Sequence, residues 1–350
     1  MICIDLLKSD VYAEFASRPI ILRERYAIQS GHAQRPIVID DIQKCPELLD
    51  EIHWLIENCG QTFLLTGSSA RKLRRQHSNL LGGRAWRREM RPLCWPEVEN
   101  YDPIRAINHG LIPSHYNSEH PREELRAYLA DYLRDEIAIE AAVRNLPAFS
   151  EFLRVAAITN AELLNYSNVS REVGVSAKIV RSYFEIFEET LLGFRIAPWR
   201  KSNHRRLIET EKFYLFDTGV ANFLAKRTVA TATPEFGKSF EHLILMELLA
   251  FKAYYEPEMD ITFWLTSNKQ EVDFVINDKA IAIEVKAASK VGPWDTKNMT
   301  MLSEDGPIGK RIIISMDPIK RVIKDSFGEI EIIPWQEFLS RLWSKEFKTS

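Results

Sequence analysis

The residues best suited to chemistry lie in the last third of the chain, where two carboxylates and a lysine occur in a strongly alternating segment. Between residues 271 and 287, apolar side chains alternate with Asp273, Glu284 and Lys286, and such alternation predicts β-strands. Carboxylate oxygens are ligands that Mg²⁺ and Mn²⁺ prefer. The segment therefore predicts a divalent-metal site, with Lys286 placed to activate a water molecule and to steady a phosphate.

The spacing of this segment predicts which residues face each other. If Asp278-Lys279 forms a two-residue turn, Ile276 pairs with Ile281, and Asp273 lies directly opposite Glu284 on the same face. Opposed side chains in an antiparallel pair have Cβ atoms about 4.5–5.5 Å apart, and like charges there are unfavourable. A cation bound between Asp273 and Glu284 would remove this repulsion.

The pattern D-x10-E-x-K resembles the PD-(D/E)xK nuclease superfamily. Glu241, early in the preceding predicted helix, matches the acidic residue that this superfamily often adds from its first helix. The resemblance implies metal-assisted hydrolysis of phosphodiester bonds. Such folds can also lose catalysis and keep DNA binding. A half-exposed hairpin with its charges in solvent is the plainer alternative.

A second group of candidate residues follows two apolar runs near the start of the chain. Asp40 and Asp41 end the run at 36–39, which has the form of a Walker B strand. In P-loop ATPases the first carboxylate holds Mg²⁺ and the second polarises the attacking water, although Asp41 is one methylene shorter than the usual glutamate. Thr66 and Ser68 close the next strand, where such ATPases carry a polar sensor near the γ-phosphate. The alternative is that both aspartates only cap the strand.

The motifs around these residues occur in a characteristic order along the chain. They are Ile39–Pro46, Leu65–Ser69, Leu80–Arg84, Arg91–Glu97, Tyr214–Gly219, Gly237–Glu241, Glu271–Phe274 and Glu284–Lys286. This order closely resembles the prokaryotic AAA-type ATPases that carry a C-terminal domain of unknown function 4143. The resemblance implies ATP and Mg²⁺ as cofactors and, since such ATPases commonly form rings, a homo-oligomer. Arg84 matches the family's Gly-Arg position, where an arginine stabilises phosphoryl-transfer charge or serves as a salt-bridged surface residue.

The element that matters most for ATP is missing from the sequence. Members of the family begin with a strand and a GxxxxGK[ST] loop, whose backbone N–H groups cradle phosphate. The triplet Gly237-Lys238-Ser239 has Ala232 where that loop needs its first glycine. We therefore expect the P-loop strand, loop and helix to be absent, and we expect no useful ATP affinity. A mis-assigned start codon or a truncated gene would also explain the missing loop. An in-frame GxxxxGK[ST] in the upstream genomic sequence would show that the start codon is mis-assigned.

A third group of candidates lies in the segment 168–177, whose sequence is typical of a helix-turn-helix. Gly174 supplies the tight turn, and Ser176 is suited to cap the next helix. Lys178 and Arg181 would face outward, where a recognition helix meets the major groove. The buried stripe of this helix is predicted from its apolar residues, Ile179, Val180, Tyr183, Phe184 and Phe187.

A predicted hairpin follows the helix-turn-helix, as in a winged helix. Its strands lie at 194–199 and 212–216, and its basic tip includes Arg205 and Arg206. Basic residues interleaved with aromatic ones suit contact with a phosphate backbone. DNA is therefore the predicted partner. The alternative is a winged helix that only packs between domains.

Composition limits the class of protein. The 350 residues are 45% hydrophobic and 27% charged, with a net charge of −3, which excludes disordered, collagen-like and disulfide-framework classes. No apolar run approaches the roughly 20 residues of a membrane span, and the N-terminus has no signal-peptide core. Four scattered cysteines predict reduced thiols. We expect a cytoplasmic protein without a membrane partner.

The predicted fold class is α/β, in four parts. They are an incomplete P-loop parallel-sheet domain (1–100), a helical connector (101–149), a winged helix-turn-helix (150–230) and a PD-(D/E)xK-like α/β domain (231–350). The predicted function is that of an AAA-family protein directed to nucleic acid, with ATP binding lost and a metal-dependent nuclease site at the C-terminus. The competing prediction is a non-catalytic DNA-binding or protein-interaction module.

Overall fold

The computed structural model describes residues 2–27, 35–67, 83–130, 145–202 and 205–348. The chain forms two compact units, residues 1–87 with 189–191 and residues 88–188 with 192–350. Of the predicted site residues, Ser68 lies outside the described ranges.

A three-stranded parallel sheet forms the centre of the first unit. Its strands are β1 (Ile2–Asp5), β2 (Ile37–Asp40) and β3 (Phe63–Leu65), in the order β1-β2-β3. Ile37 of the middle strand pairs with Ile2 on one side and with Phe63 on the other. The strands predicted at the two apolar runs, β2 and β3, are confirmed, and the carboxyl end of β2 is Asp40.

Three helices accompany this sheet: α1 (Ser9–Ser17), α2 (Ile21–Tyr26) and α3 (Leu48–Cys59). The third was predicted from its apolar spacing, and its buried side chains are Leu48, Leu49, Ile52 and Leu55, as expected for one face of a helix. It ends at Gly60, whose φ of 63° is left-handed and unstrained for glycine.

The second unit contains the other helices of the described chain. They are α4 (Pro103–His109), α5 (Pro113–Tyr116), α6 (Pro121–Ala127), α7 (Leu146–Ile158), α8 (Tyr166–Val173), α9 (Ala177–Glu189), α10 (Thr218–Leu224), α11 (Glu235–Tyr255), α12 (Lys297–Ser303) and α13 (Trp335–Trp343). No helix in the described ranges is both long enough and apolar enough to cross a membrane.

One nine-stranded sheet crosses the second unit in the order β11-β12-β10-β9-β8-β7-β5-β6-β4 within the described residues. Its strands are β4 (Glu162–Leu163), β5 (Gly193–Pro198), β6 (Lys212–Leu215), β7 (Ile261–Leu265), β8 (Glu271–Ile276), β9 (Ile281–Lys286), β10 (Lys310–Ser315), β11 (Arg321–Asp325) and β12 (Gly328–Pro334). Strand β5 pairs antiparallel with β6 and parallel with β7. The predicted hairpin after the helix-turn-helix and the C-terminal strands therefore share one sheet, and the α/β class is confirmed.

The middle strands of this sheet are covered on both faces. One face joins α11 and α13 in a core that includes Phe240, Leu243, Phe274, Ile283 and Phe338. The other face joins α12 in a core that includes Val275, Ala282, Met299, Leu302 and Ile313. Strands buried on both faces are almost continuously apolar, so a charged side chain within them needs a specific reason to be there.

Candidate functional site

The hairpin of β8 and β9 has the predicted register. Ile276 pairs with Ile281 and Phe274 with Ile283, and continuing this register by one residue leads to Asp273 and Glu284. The turn residues Asp278 and Lys279 have φ values of 50° and 72°, the left-handed conformation that tight hairpin turns require. The predicted juxtaposition of the two carboxylates thus follows from the turn.

Asp273 is buried at the start of this hairpin, with 8% of its surface exposed. Its Oδ2 accepts a hydrogen bond from the Val285 backbone N–H at 2.7 Å. Burial, and then the nearby Glu284 and Glu241 carboxylates, raise the pKa of Asp273 well above its ordinary value. The charged form of this side chain is therefore costly without a cation beside it.

Glu284 is buried on the neighbouring strand, with 4% of its surface exposed. Its Oε1 accepts a hydrogen bond from Lys286 Nζ at 2.6 Å, whereas Oε2 has no hydrogen-bond partner in the described part of the chain. Burial raises the pKa of Glu284 to about 7 even though Lys286 acts to lower it. A buried carboxylate oxygen without a hydrogen-bond partner is unusual in a folded protein, and it indicates that a ligand binds there.

Three residues that the sequence did not single out complete the cluster. Lys212 of β6 donates to Glu241 Oε1 at 3.1 Å and forms an ion pair with Glu271. Tyr214 Oη donates to the same Glu241 oxygen at 2.6 Å. Lys212 and Tyr214 are two residues apart on β6, as Glu271 and Asp273 are on β8, and this spacing indicates a shared face in each strand but not that the two faces meet.

The charge of the cluster is unbalanced. Glu241, Glu271, Asp273 and Glu284 are four carboxylates, and Lys212 and Lys286 are the lysines that contact them, so two negative charges remain when all are ionised. Within the described ranges no three His, Cys, Asp or Glu side chains are arranged to hold a metal ion. The donor set and the orphaned Glu284 oxygen nevertheless fit a hard divalent cation, which would compete with Lys286 for Glu284.

Two of the Walker B-like residues of the first unit, Asp40 and Thr66, are in contact. The Thr66 hydroxyl donates to Asp40 Oδ1, which joins the ends of β2 and β3. Asp41 has a left-handed φ of 57°, and its carboxylate accepts a hydrogen bond from Gln43 Nε2 at 2.7 Å. Arg84 forms an ion pair with Glu57 of α3, which corresponds to the surface salt bridge that was its alternative interpretation.

The helix-turn-helix is formed by α8 and α9. Gly174 ends α8 with a φ of 74°, and the Ile179 N–H lies 3.4 Å from Ser176 Oγ, so the predicted turn and cap are confirmed. Lys178 and Arg181 are exposed, and the Arg181 guanidinium lies over the Tyr166 ring. The predicted burial of Ile179 is wrong, because 42% of its surface is exposed.

The two arginines of the predicted basic tip differ in their surroundings. Arg205 donates to the Met301 carbonyl at 3.2 Å and forms an ion pair with Glu304, and only 18% of its side chain is exposed. Arg206 is exposed. The structure therefore anchors Arg205 on α12 and leaves Arg206 on the surface.

Three family models match successive parts of the chain. Residues 2–99 match a model described as "AAA domain". Residues 101–231 match "Domain of unknown function (DUF8612)", and residues 236–338 match "Domain of unknown function (DUF4143)". The AAA and DUF4143 matches agree with the family resemblance found in the sequence.

The curated relatives carry no functional description. An uncharacterized protein of Mycobacterium tuberculosis and one of Mycobacterium bovis are each 23% identical over 265 residues, which is 72% of this chain and 59% of the relative. An uncharacterized protein of Haemophilus influenzae is 20% identical over 319 residues, or 85% of this chain and 76% of the relative. The chain thus spans about three fifths of the mycobacterial relatives. The comparison with solved structures gave no significant match. The chain joins an AAA-type N-terminal segment to a C-terminal segment similar to the DUF4143 family.

Proposed function

We propose that the β8–β9 hairpin hydrolyses phosphodiester bonds in nucleic acid with the help of a divalent cation. The observation that carries this proposal is Glu284 Oε2, a buried carboxylate oxygen without a hydrogen-bond partner among the described residues, on the strand position opposite Asp273. Burying such a group without a partner costs free energy. A bound cation would offset this cost. The surplus of carboxylates over lysines around it supports the same proposal.

Each side chain has a role in this proposal. Asp273 and Glu284 would hold Mg²⁺ or Mn²⁺, which would supply Lewis-acid polarisation of the phosphodiester. Lys286 holds its proton: burial acts to lower its pKa, but the Glu284 carboxylate outweighs this and raises it. A lysine that stays charged can steady a phosphate oxygen. Glu241 is held in place by Lys212 and Tyr214.

Nucleic acid as the partner is supported by the exposed face of the helix-turn-helix. Lys178 and Arg181 lie on the exposed side of α9, and Arg206 is exposed on the segment between β5 and β6. Lys178 and Arg206 are exposed, and the exposed Arg181 also lies over the Tyr166 ring. Lysine and arginine contact the phosphate backbone in most protein–DNA complexes. Arg205 is left out of the proposed surface because Met301 and Glu304 engage it.

The AAA-type segment leads to a separate prediction about nucleotide. Asp40 and Thr66 form the Walker B-like half of a site, but the 350 residues contain no GxxxxGK[ST] loop to cradle phosphate. We expect this polypeptide to show no micromolar binding of MgATP in isothermal titration calorimetry. A micromolar dissociation constant that is lost on Asp40→Ala would contradict the prediction.

The nuclease proposal is tested by metal-dependent cleavage. We expect the purified chain to nick plasmid DNA in Mn²⁺ and to be silent in EDTA. We also expect Mn²⁺ to stabilise the fold, by about 2.7 kcal/mol at a free concentration one hundred times its Kd. Intact plasmid with Mg²⁺, Mn²⁺ and Co²⁺ alike, from folded protein, would overturn the proposal.

The second candidate is a non-catalytic DNA-binding or protein-interaction module. It is favoured by the bonds that already hold the carboxylates: Val285 N–H binds Asp273, Lys286 binds Glu284, and Lys212 binds Glu241. On this alternative Lys212 and Lys286 are permanent counter-ions. The melting temperature would then be the same in Mn²⁺ and in EDTA, which separates the two candidates in one experiment.

A further inference from the structure

Trp294 is an almost fully exposed tryptophan on a well-fixed turn. Of its surface 88% is exposed, and it lies in the short 3-10 turn Pro293–Thr296. The Asp295 carboxylate accepts the Gly292 N–H at 2.7 Å, and the Thr296 hydroxyl donates to the Pro293 carbonyl at 2.7 Å. A single exposed apolar side chain is common on protein surfaces, so the meaning of Trp294 depends on what surrounds it.

The turn lies at the same edge of the sheet as Lys286. Strands β9 and β10 run parallel, and Lys286 at the end of β9 pairs with Ser315 at the end of β10. Asp317 follows β10 immediately and forms an ion pair with Arg321, whose guanidinium donates to the Val291 carbonyl at 2.7 Å. The chain that leads to Trp294 is therefore fastened beside the carboxyl ends of these strands, where ligands of parallel sheets bind.

Cations flank the tryptophan on both sides. Lys290 precedes it by four residues and Lys297 follows it by three, and both side chains are exposed. An aromatic ring with lysines on both sides of it along the chain, at the edge of the sheet where Lys286 ends β9, matches the pattern of a surface that binds an unpaired nucleic-acid strand.

We propose that Trp294 is a stacking platform for an unpaired base, and that the C-terminal site acts on unpaired stretches of nucleic acid, such as those that open in a supercoiled plasmid. This inference rests on the proposed function, whose substrate it specifies. Every base presents a π-face to an aromatic ring, whereas bases inside a duplex are stacked on each other. Lys290 and Lys297 hold the phosphates on either side of the stacked base, and Lys286 meets the phosphate at the site.

The experiment measures binding without cleavage. Fluorescein-labelled oligo-dT is titrated with the full chain in Ca²⁺ and read by anisotropy. We expect Trp294→Ala to weaken binding about 5- to 150-fold, as removal of one base–aromatic stack does. Trp294→Phe should restore most of the affinity. Trp86→Ala is the matched control, since Trp86 is 89% exposed, and it should bind like the wild type.

The outcomes separate this inference from the proposal it rests on. Equal affinity of the wild type and Trp294→Ala, or an equal loss on oligo-dT and on a duplex of the same length, would overturn the stacking role. If the wild type cleaves no DNA, and Trp294→Ala still loses affinity for oligo-dT but not for the duplex, only the hydrolysis proposal fails. If plasmid is cleaved and Trp294→Ala binds normally, only the stacking role fails.

Discussion

Replacement of Asp273 by asparagine is expected to slow metal-dependent cleavage by about a thousandfold, since one of the two proposed ligands loses its charge and a metal ion contributes several kcal/mol to such reactions. The variant is expected to fold, because asparagine keeps a side-chain oxygen that can accept the Val285 N–H, as Asp273 does at 2.7 Å. Binding of oligonucleotide in Ca²⁺ should change far less than cleavage, because the basic residues and Trp294 are untouched.

The same substitution is expected to stabilise the metal-free protein. Burial and the neighbouring Glu284 and Glu241 raise the pKa of Asp273 well above its ordinary value, so at neutral pH the folded state bears a cost that asparagine lacks. Removing about 1 kcal/mol of this cost from the folded state would raise the melting temperature by about 2–4 °C. Activity and stability would then move in opposite directions, as is usual where a site is built for function.

Plasmid nicking in Mn²⁺ and thermal melting in EDTA check both expectations on one preparation. Asp278→Asn is the matched control, because Asp278 lies at the turn of the same hairpin with 53% of its side chain exposed; it should cleave like the wild type. Cleavage by Asp273→Asn at the wild-type rate would remove Asp273 from the site. A lower melting temperature with no change in cleavage would make its role structural.

The hairpin shows what could be predicted about the site from the sequence. Its turn residues Asp278 and Lys279 adopt the positive φ values that fix a two-residue turn, and once the turn is fixed, strict two-residue periodicity determines every facing pair. The predicted position of Asp273 opposite Glu284 is therefore a local inference from the sequence. The register is confirmed from the Ile276 and Ile281 pair to the Phe274 and Ile283 pair.

The partners of Glu241 could not be predicted in the same way. Lys212 reaches Glu241 and Glu271 only because β5 pairs with β7 and thereby brings β6 into the C-terminal sheet. That pairing joins residues more than sixty positions apart, and no local pattern encodes it. Arg205 is a similar case, since its ion pair with Glu304 depends on how the chain between β5 and β6 packs on α12.

The misplacement of Ile179 has a different cause. The buried side chains of α9 are Val180, Tyr183, Phe184, Ile186 and Phe187. Ile179 lies seven residues, or two turns, before Ile186 and therefore on the same face of the helix. It belongs to the first turn of α9, which begins at Ala177. The spacing of apolar residues predicts which face a residue occupies, but not whether another element covers that end of the helix.

Glu247 is expected to make the stability of the second unit fall between about pH 4.5 and pH 7. It lies on α11 with 1% of its surface exposed, and it accepts hydrogen bonds from the Trp95 N–H at 3.0 Å and from Trp343 Nε1 at 2.8 Å. These donors act to lower its pKa, but burial dominates and raises it to about 7. The folded state therefore keeps a proton that the unfolded chain releases above about pH 4.5.

The sign and size of this effect follow from proton linkage. Below the unfolded pKa both states are protonated and Glu247 costs nothing; as the pH rises toward 7 the unfolded state is favoured, by about 3 kcal/mol in all. Glu247→Gln should remove that part of the pH dependence, and the difference between the two unfolding curves isolates it from Asp273 and Glu284. Urea unfolding at pH 4.5, 6 and 8 measures it, with exposed Glu258→Gln as the control. Parallel curves for the wild type and Glu247→Gln would mean that the hydrogen bonds from the Trp95 N–H and from Trp343 Nε1 hold the ionised carboxylate, so that hydrogen bonding rather than burial governs this site.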